Sequence, residues 1–198
     1  MYPLFESICI QDGKLINLHW HEVRFHNAYW HHYDQPPPFN LLEGLGIPPE
    51  FAQGKVKLRI RYNQQDRNFH FEHYQFQKIQ SLQLVYTKEL DYQYKYSQRE
   101  KLETLFAKRG NCDDVLIVRE GWITDSSYAN VVFFDGKDWW TPKNPLLEGT
   151  CRARLLAQGI IKEAELGVED IKNFKGLKLV NALRDLNQPM IPINRLMY

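Results

Sequence analysis

Three short stretches carry residue types able to do chemistry. The first is Lys95, set between Tyr94 and Tyr96. Taken alone, a lysine in such a position is most often a solvated surface charge. The second stretch is Thr124-Asp125-Ser126-Ser127-Tyr128-Ala129-Asn130, a carboxylate and small hydroxyls just ahead of a buried run. A plain Asp-Ser turn has the same composition. The third is Gly149-Thr150-Cys151-Arg152 at the start of a helical pattern. Free backbone N–H groups and the helix dipole there suit an anion, although Thr150 serves equally well as an ordinary cap.

These stretches need elements to hold them. Leu4–Ile10 reads as a strand, Asp12-Gly13 as a hairpin turn, and Leu15–Leu18 as the returning strand. A helix is predicted over Trp20–His32, with Trp20, Val23, Asn27 and Trp30 along one face. Pro36-Pro37-Pro38 ends it. Leu41–Phe51 has room for one short helix. Lys55–Tyr62 alternates, with Lys57, Arg59 and Arg61 on one face and Leu58, Ile60 and Tyr62 on the other; Phe69–Tyr74 pairs back. Leu82–Tyr86 is a further strand. Ser97 and Glu100 have capping-box spacing ahead of a helix at Arg99–Lys108. Strands follow at Val115–Val118, Trp122–Asp125, Ala129–Phe134 and Trp139–Thr141. A helix runs from Gly149-Thr150 to about Ile161, and strands close the chain at Gly176–Leu183 and Met190–Asn194. Strands without regular βαβ alternation indicate an α+β fold. The stretch Thr87–Tyr94 divides the chain into domains at 1–90 and 91–198.

Composition narrows the functional classes. The chain has 198 residues, 43% hydrophobic and 14% aromatic, enough for a true core. Twenty-five Lys and Arg stand against 24 Asp and Glu, and a net charge of +1 gives no support to a nucleic-acid or membrane surface. No apolar run is long enough for a membrane span, and Met1–Gln11 lacks the features of a leader peptide. Three scattered cysteines without a CxxC argue against disulfides or zinc, so a cytoplasmic setting is the default. Five of the seven histidines fall in His19–His32, but His21-Glu22 and His26 are spaced one residue too long for an HExxH helix. No metal is expected.

The order of these features resembles the fold-type IV pyridoxal-phosphate enzymes, aminotransferase class IV, which include branched-chain and D-amino-acid aminotransferases and aminodeoxychorismate lyases. The resemblance starts at Leu4-Phe5-Glu6-Ser7-Ile8 and passes through Leu18-x-x-His21-x-x-Arg24. It resumes at Lys95, Asp113–Ile117, Gly121-x-Ile123-Thr124-Asp125 and Ala129-Asn130. It then runs through Thr141-Pro142, Leu147-Glu148-Gly149-Thr150-x-Arg152 and Val180–Leu183 to Ile191-Pro192-Ile193. It is most specific in the C-terminal half.

The resemblance implies a two-lobed, D-amino-acid aminotransferase-like fold, with a small N-terminal α/β sandwich lobe and a larger C-terminal pseudo-barrel lobe. Pyridoxal 5'-phosphate is expected in the cleft and a homodimer as the assembly. Lys95 is the expected Schiff-base lysine and proton carrier, walled by its two tyrosines. Asp125 is expected at the pyridine nitrogen, with Asn130 supporting its turn. Arg24, Thr150, Cys151 and Asn181 are expected at the phosphate. Arg59 or Arg61 is expected to meet a substrate carboxylate, an exposed basic edge being the alternative for that face. The family usually has glutamate where Asp125 stands, so the reach is shorter by roughly 1.5 Å, about one C–C bond. Threonine is common near Cys151, and the chain is short for the family. Two reactions compete, pyruvate elimination from aminodeoxychorismate and transamination of a D- or branched-chain amino acid. A non-catalytic cofactor-binding protein is the alternative of another class.

Overall fold

A computed structural model describes residues 2–198. Met1, the first residue of the stretch weighed as a leader, lies outside them. The chain forms two compact units. One runs through Phe76 and takes in Tyr94–Gln98; the other comprises Gln77–Gln93 and Arg99–Tyr198. The division expected near residue 90 is thus interleaved, with the five-residue segment around Lys95 in the first unit.

In the first unit, β1 (Leu4–Gln11) and β2 (Lys14–Leu15) form a hairpin. Asp12 and Gly13 both take positive φ, 50° and 75°, the turn geometry that matches strand twist. The strands β3 (Lys55–Tyr62) and β4 (Arg67–His73) complete a four-stranded sheet in the order β2-β1-β3-β4. Its inner face, Leu4, Ile8, Ile10, Val56, Leu58, Ile60 and Tyr62, packs on α1 (Leu18–Tyr33). Two expectations change here. The return strand stops at Leu15, because Asn17 turns left-handed (φ 63°) and the helix begins at Leu18. The buried face of α1 is His21, Phe25, Ala28 and Tyr29, whereas Val23 and Trp30 are 39% and 56% exposed. The polar atoms of the buried face are accommodated, since His21 meets Glu6 and the Tyr29 hydroxyl donates to the Gln64 carbonyl at 2.6 Å. Leu41–Phe51 holds only a short 3-10 turn at Pro49–Phe51.

The second unit carries a nine-stranded mixed sheet. In chain order its elements are β5 (Leu82–Thr87), α2 (Glu100–Ala107), β6 (Asp114–Arg119), β7 (Trp122–Ser126), β8 (Asn130–Phe134) and β9 (Trp139–Pro142). Then come α3 (Thr150–Ala157), β10 (Ile161–Ala164), β11 (Gly176–Val180), β12 (Ile191–Pro192) and β13 (Leu196–Met197). The main path is β10-β9-β8-β7-β6-β5-β13, and β11 pairs with β8 and β12. Both β5–β6 and β9–β10 are parallel, each joined by a crossover helix. Leu82, Leu116, Val118, Val131, Phe133, Leu177 and Leu179 form the main core.

Three boundaries differ from the sequence reading. The helix α2 starts at Glu100 with Arg99 at its N-cap; Ser97 does not cap it, its N–H donating to the Pro3 carbonyl at 2.7 Å and its hydroxyl having no partner among the described residues. The helix α3 stops at Ala157, shortly before Gly159 turns left-handed (φ 66°). Ile161, expected as a helix end, opens β10. The α+β class itself is as expected. No helix among the described residues is long and apolar enough to cross a membrane.

Candidate active site

In the first unit the backbone around Lys95 is zipped to the start of β1. The Phe5 N–H donates to the Lys95 carbonyl at 3.1 Å, and Leu4 bridges Tyr96. The Tyr94 ring stacks on His31 of α1 at 4.4 Å, and Tyr94 meets Tyr96 edge to face at 6.2 Å. The Lys95 ammonium lies 4.8 Å from the centroid of the Phe5 ring. Arg59 reaches the same ring, its Cζ 5.3 Å away. The β1–β3 pairing explains the meeting, for Phe5 stands opposite Arg61 and Ser7 opposite Arg59, all on the face away from α1. The buried Arg59 Nε has no hydrogen-bond partner among the described residues. Lys57 on this face pairs with Glu72, whereas Arg61 is exposed. Two cations thus share one apolar ring, and one of them keeps a buried N–H without a partner among the described residues.

The other face of β1 carries a feature absent from the sequence reading. Glu6 is fully buried between α1 and the sheet. Arg24 donates to it through Nε (2.8 Å to Oε1) and Nη2 (2.5 Å to Oε2), and His21 Nδ1 lies 2.6 Å from Oε2. Burial would push the Glu6 carboxyl up. The Arg24 charge and the hydrogen bonds from His21 and Arg24 outweigh it and hold the pKa at about 2. Burial pushes His21 down, assisted by the positive charges of Arg24 and Lys95. A neutral His21 donating to an ionised Glu6 follows. The available signal was a carboxylate at an inward position of an alternating strand.

In the second unit Asp125 is 5% exposed. Its Oδ1 accepts Asn130 Nδ2 at 2.7 Å; its Oδ2 accepts the Leu146 and Leu147 N–H groups at 2.9 and 3.0 Å. Burial raises its pKa to about 6 despite these bonds and the charge of Arg152. Asn130 also donates to the Leu147 carbonyl at 2.8 Å, so β7, β8 and the loop entering α3 are locked together. The lock demands Gly149, where a Cβ would stand 1.9 Å from Asn130 Oδ1. Gly149 caps α3, and Thr150 behind it is buried.

Cys151 turns its thiol to the Arg184 carbonyl at 3.7 Å, and burial, with the Asp185 charge, pushes its pKa to about 11. Asn181 donates to the Tyr128 carbonyl at 3.2 Å and accepts the Leu183 N–H at 2.9 Å, so its side chain braces turns. Arg99, also unforeseen, donates to the Ser127 carbonyl at 2.7 Å and lies 4.4 Å from the Tyr128 ring centroid. The turn after Asp125 is therefore held by Arg99, by Asn181, and by Asp114 through the Ser127 hydroxyl. The structure brings Lys95 together with Arg59, and Arg24 with Glu6, in the first unit. It brings Asp125, Asn130 and the Gly149-Thr150 turn together in the second.

Each unit holds residue types that suit a phosphorylated pyridine aldehyde. Asp125 Oδ1 accepts one bond from Asn130 and has a second lone pair. In the second unit Gly149 caps the N-terminus of α3, and in the first Lys95 carries an amine. Residues 3–195 match the model of the family described as amino-transferase class IV. The chain belongs to that family. An uncharacterised Haemophilus influenzae protein is 38% identical over 188 residues, 94% of this chain and all of its own length. A Haemophilus somnus 129PT structure, provisionally named a 4-amino-4-deoxychorismate lyase, superposes with a TM-score of 0.89 at 32% identity, over 94% of this chain and 98% of its own. A Mesorhizobium loti structure, provisionally named an amino-acid aminotransferase, gives 0.81 at 25% identity, over 96% and 97%. The class IV resemblance read from the motifs is thus shown, and with it the fold-type IV architecture.

Proposed function

We propose that this class IV chain is a pyridoxal 5'-phosphate enzyme that eliminates pyruvate from 4-amino-4-deoxychorismate, leaving 4-aminobenzoate. The observation that supports it most is the pairing of Lys95 with Arg59 over Phe5, an amine beside a guanidinium with an unsatisfied N–H. In this reading Arg59 takes a substrate carboxylate. When bound, the cofactor supplies an electron sink for the carbon that bears the substrate amine. Lys95 Nζ removes the proton from that carbon. The neighbouring C–O bond then breaks, and the departing enolpyruvate gains a proton to become pyruvate. Asp125 holds the pyridine nitrogen protonated, and Asn130 keeps Asp125 aimed. Arg24 and the backbone N–H groups at Thr150 and Cys151 hold the phosphate. Asn181 contributes by bracing the turn that follows Asp125. The lyase named among the similar structures supports the choice of reaction.

Transamination is the second reading, favoured by the similarity to an aminotransferase-named structure. The test is to supply cofactor and aminodeoxychorismate and to measure pyruvate and 4-aminobenzoate in equal amounts. Amine transfer from single amino acids, with no pyruvate, would replace the lyase by a transaminase. Cofactor uptake with neither reaction would leave a binding protein. A homodimer is part of the proposal, and sedimentation should give twice the 23.6 kDa chain mass.

A further inference from the structure

We infer that Glu6 is a positioning residue that aims Arg24, and through it sets how strongly the protein prefers a phosphorylated ligand. The inference rests on the reading of Arg24 as a phosphate-binding residue. Glu6 occupies an inward position on β1, between the fully buried Leu4 and Ile8. An apolar residue there would fill the core at no electrostatic cost, whereas a buried carboxylate needs full compensation. What a carboxylate adds is direction. Its two oxygens fix the Nε–Nη2 edge of Arg24, at 2.8 and 2.5 Å, in one plane. The Nη1 side of the guanidinium is thereby turned away from Glu6. His21, three residues earlier on the same helix face, closes on Oε2 from its Nδ1. Arg24 is thus held at its side-on edge by a residue anchored in the sheet.

Removing Glu6 has two opposed effects on a bound phosphate. It loosens the aim of Arg24, and it removes a negative charge. The inference holds that aim prevails.

The test compares pyridoxal 5'-phosphate with pyridoxal, titrated into the apo chain and followed by fluorescence quenching. The ratio of the two dissociation constants reads the phosphate contribution alone. Glu6→Gln should lower the wild-type preference about tenfold, the worth of one charge-assisted hydrogen bond. Affinity for pyridoxal should stay as in wild type, which a general loss of structure would not allow. In an Arg24→Gln background, Glu6→Gln should lower the ratio no further. If Glu6→Gln does not fold, Glu6→Asp keeps the charge but shortens the reach, and the same fall is expected. An unchanged or increased preference in the folded Glu6 variant overturns the inference. A wild type without preference, or an Arg24→Gln variant that keeps it, overturns the reading of Arg24 itself and this inference with it. A fall in Arg24→Gln but not in the Glu6 variant defeats the inference alone.

Discussion

Gly149→Ala exposes the lock around Asp125. Gly149 has φ −73° and ψ 139°, a conformation any residue adopts, so the substitution adds no backbone strain. The new Cβ would stand 1.9 Å from Asn130 Oδ1, where real Cβ atoms essentially never come within 3.0 Å. Asn130 must move, and it then loses its bonds to Asp125 and to the Leu147 carbonyl. A bond to a charged group contributes about 1.5–3 kcal/mol and a neutral one about 0.5–1.5, so the cost is about 2–4.5 kcal/mol. Asn130→Ala breaks the same two bonds and should cost a similar amount. With the Asn130 side chain gone, the Cβ at 149 meets nothing close, so the double variant should cost no more than Asn130→Ala. Urea unfolding of all four proteins at fixed pH and unchanged m-value measures the cycle. Additive single costs, or a Gly149→Ala variant as stable as wild type, would refute the lock.

Further outcomes follow from the buried ionisable groups. Asp125 rises from 3.8 to about 6, so the folded chain keeps a proton that the unfolded chain has released. Its contribution is full below about pH 4 and is lost as pH rises through 6, a fall of about 3 kcal/mol at 1.36 kcal/mol per pKa unit. Subtracting the stability profile of Asp125→Asn from that of wild type should show this fall, and a flat difference contradicts it. Glu6 is opposite in sign, lowered from 4.5 to about 2. Its contribution is full above pH 4.5 and is lost on acidification toward 2, and Glu6→Gln should abolish that acid limb. Cys9 and Cys151 are buried with pKa values pushed up, whereas Cys112 is half-buried. Brief alkylation of the native protein at neutral pH should therefore map to Cys112, and equal labelling of Cys151 would contradict the burial.

How much of this could be read from the residues depends on whether the partners are local. The strand Lys55–Tyr62 was legible to the residue because its alternation is strict and both faces report the same register. The Asp12-Gly13 turn was legible because its geometry is set by two adjacent residues. The helix Leu18–Tyr33 was found, but its buried face was not. Trp20, Val23 and Trp30 outweigh His21 on any apolar count, and the carboxylate of Glu6, fifteen residues earlier, receives His21 inside the unit. The strand Ile161–Ala164 was hidden because its pairing to Trp139–Pro142 is parallel, so no turn announces it. At the candidate site the residue types were visible in order, including Lys95, Asp125 and Gly149. Their fastening by Glu6, Arg99 and the Leu146–Leu147 amides depends on separations that no spacing rule covers.

The proposed function requires that Lys95 carry the cofactor. The direct measurement is to load the purified chain with pyridoxal 5'-phosphate, reduce it with borohydride, digest it and locate the modified lysine by mass spectrometry. One stoichiometric adduct is expected on Lys95, absent from Lys95→Ala. An unmodified Lys95 in the loaded wild type, or an adduct on another lysine instead, would contradict it.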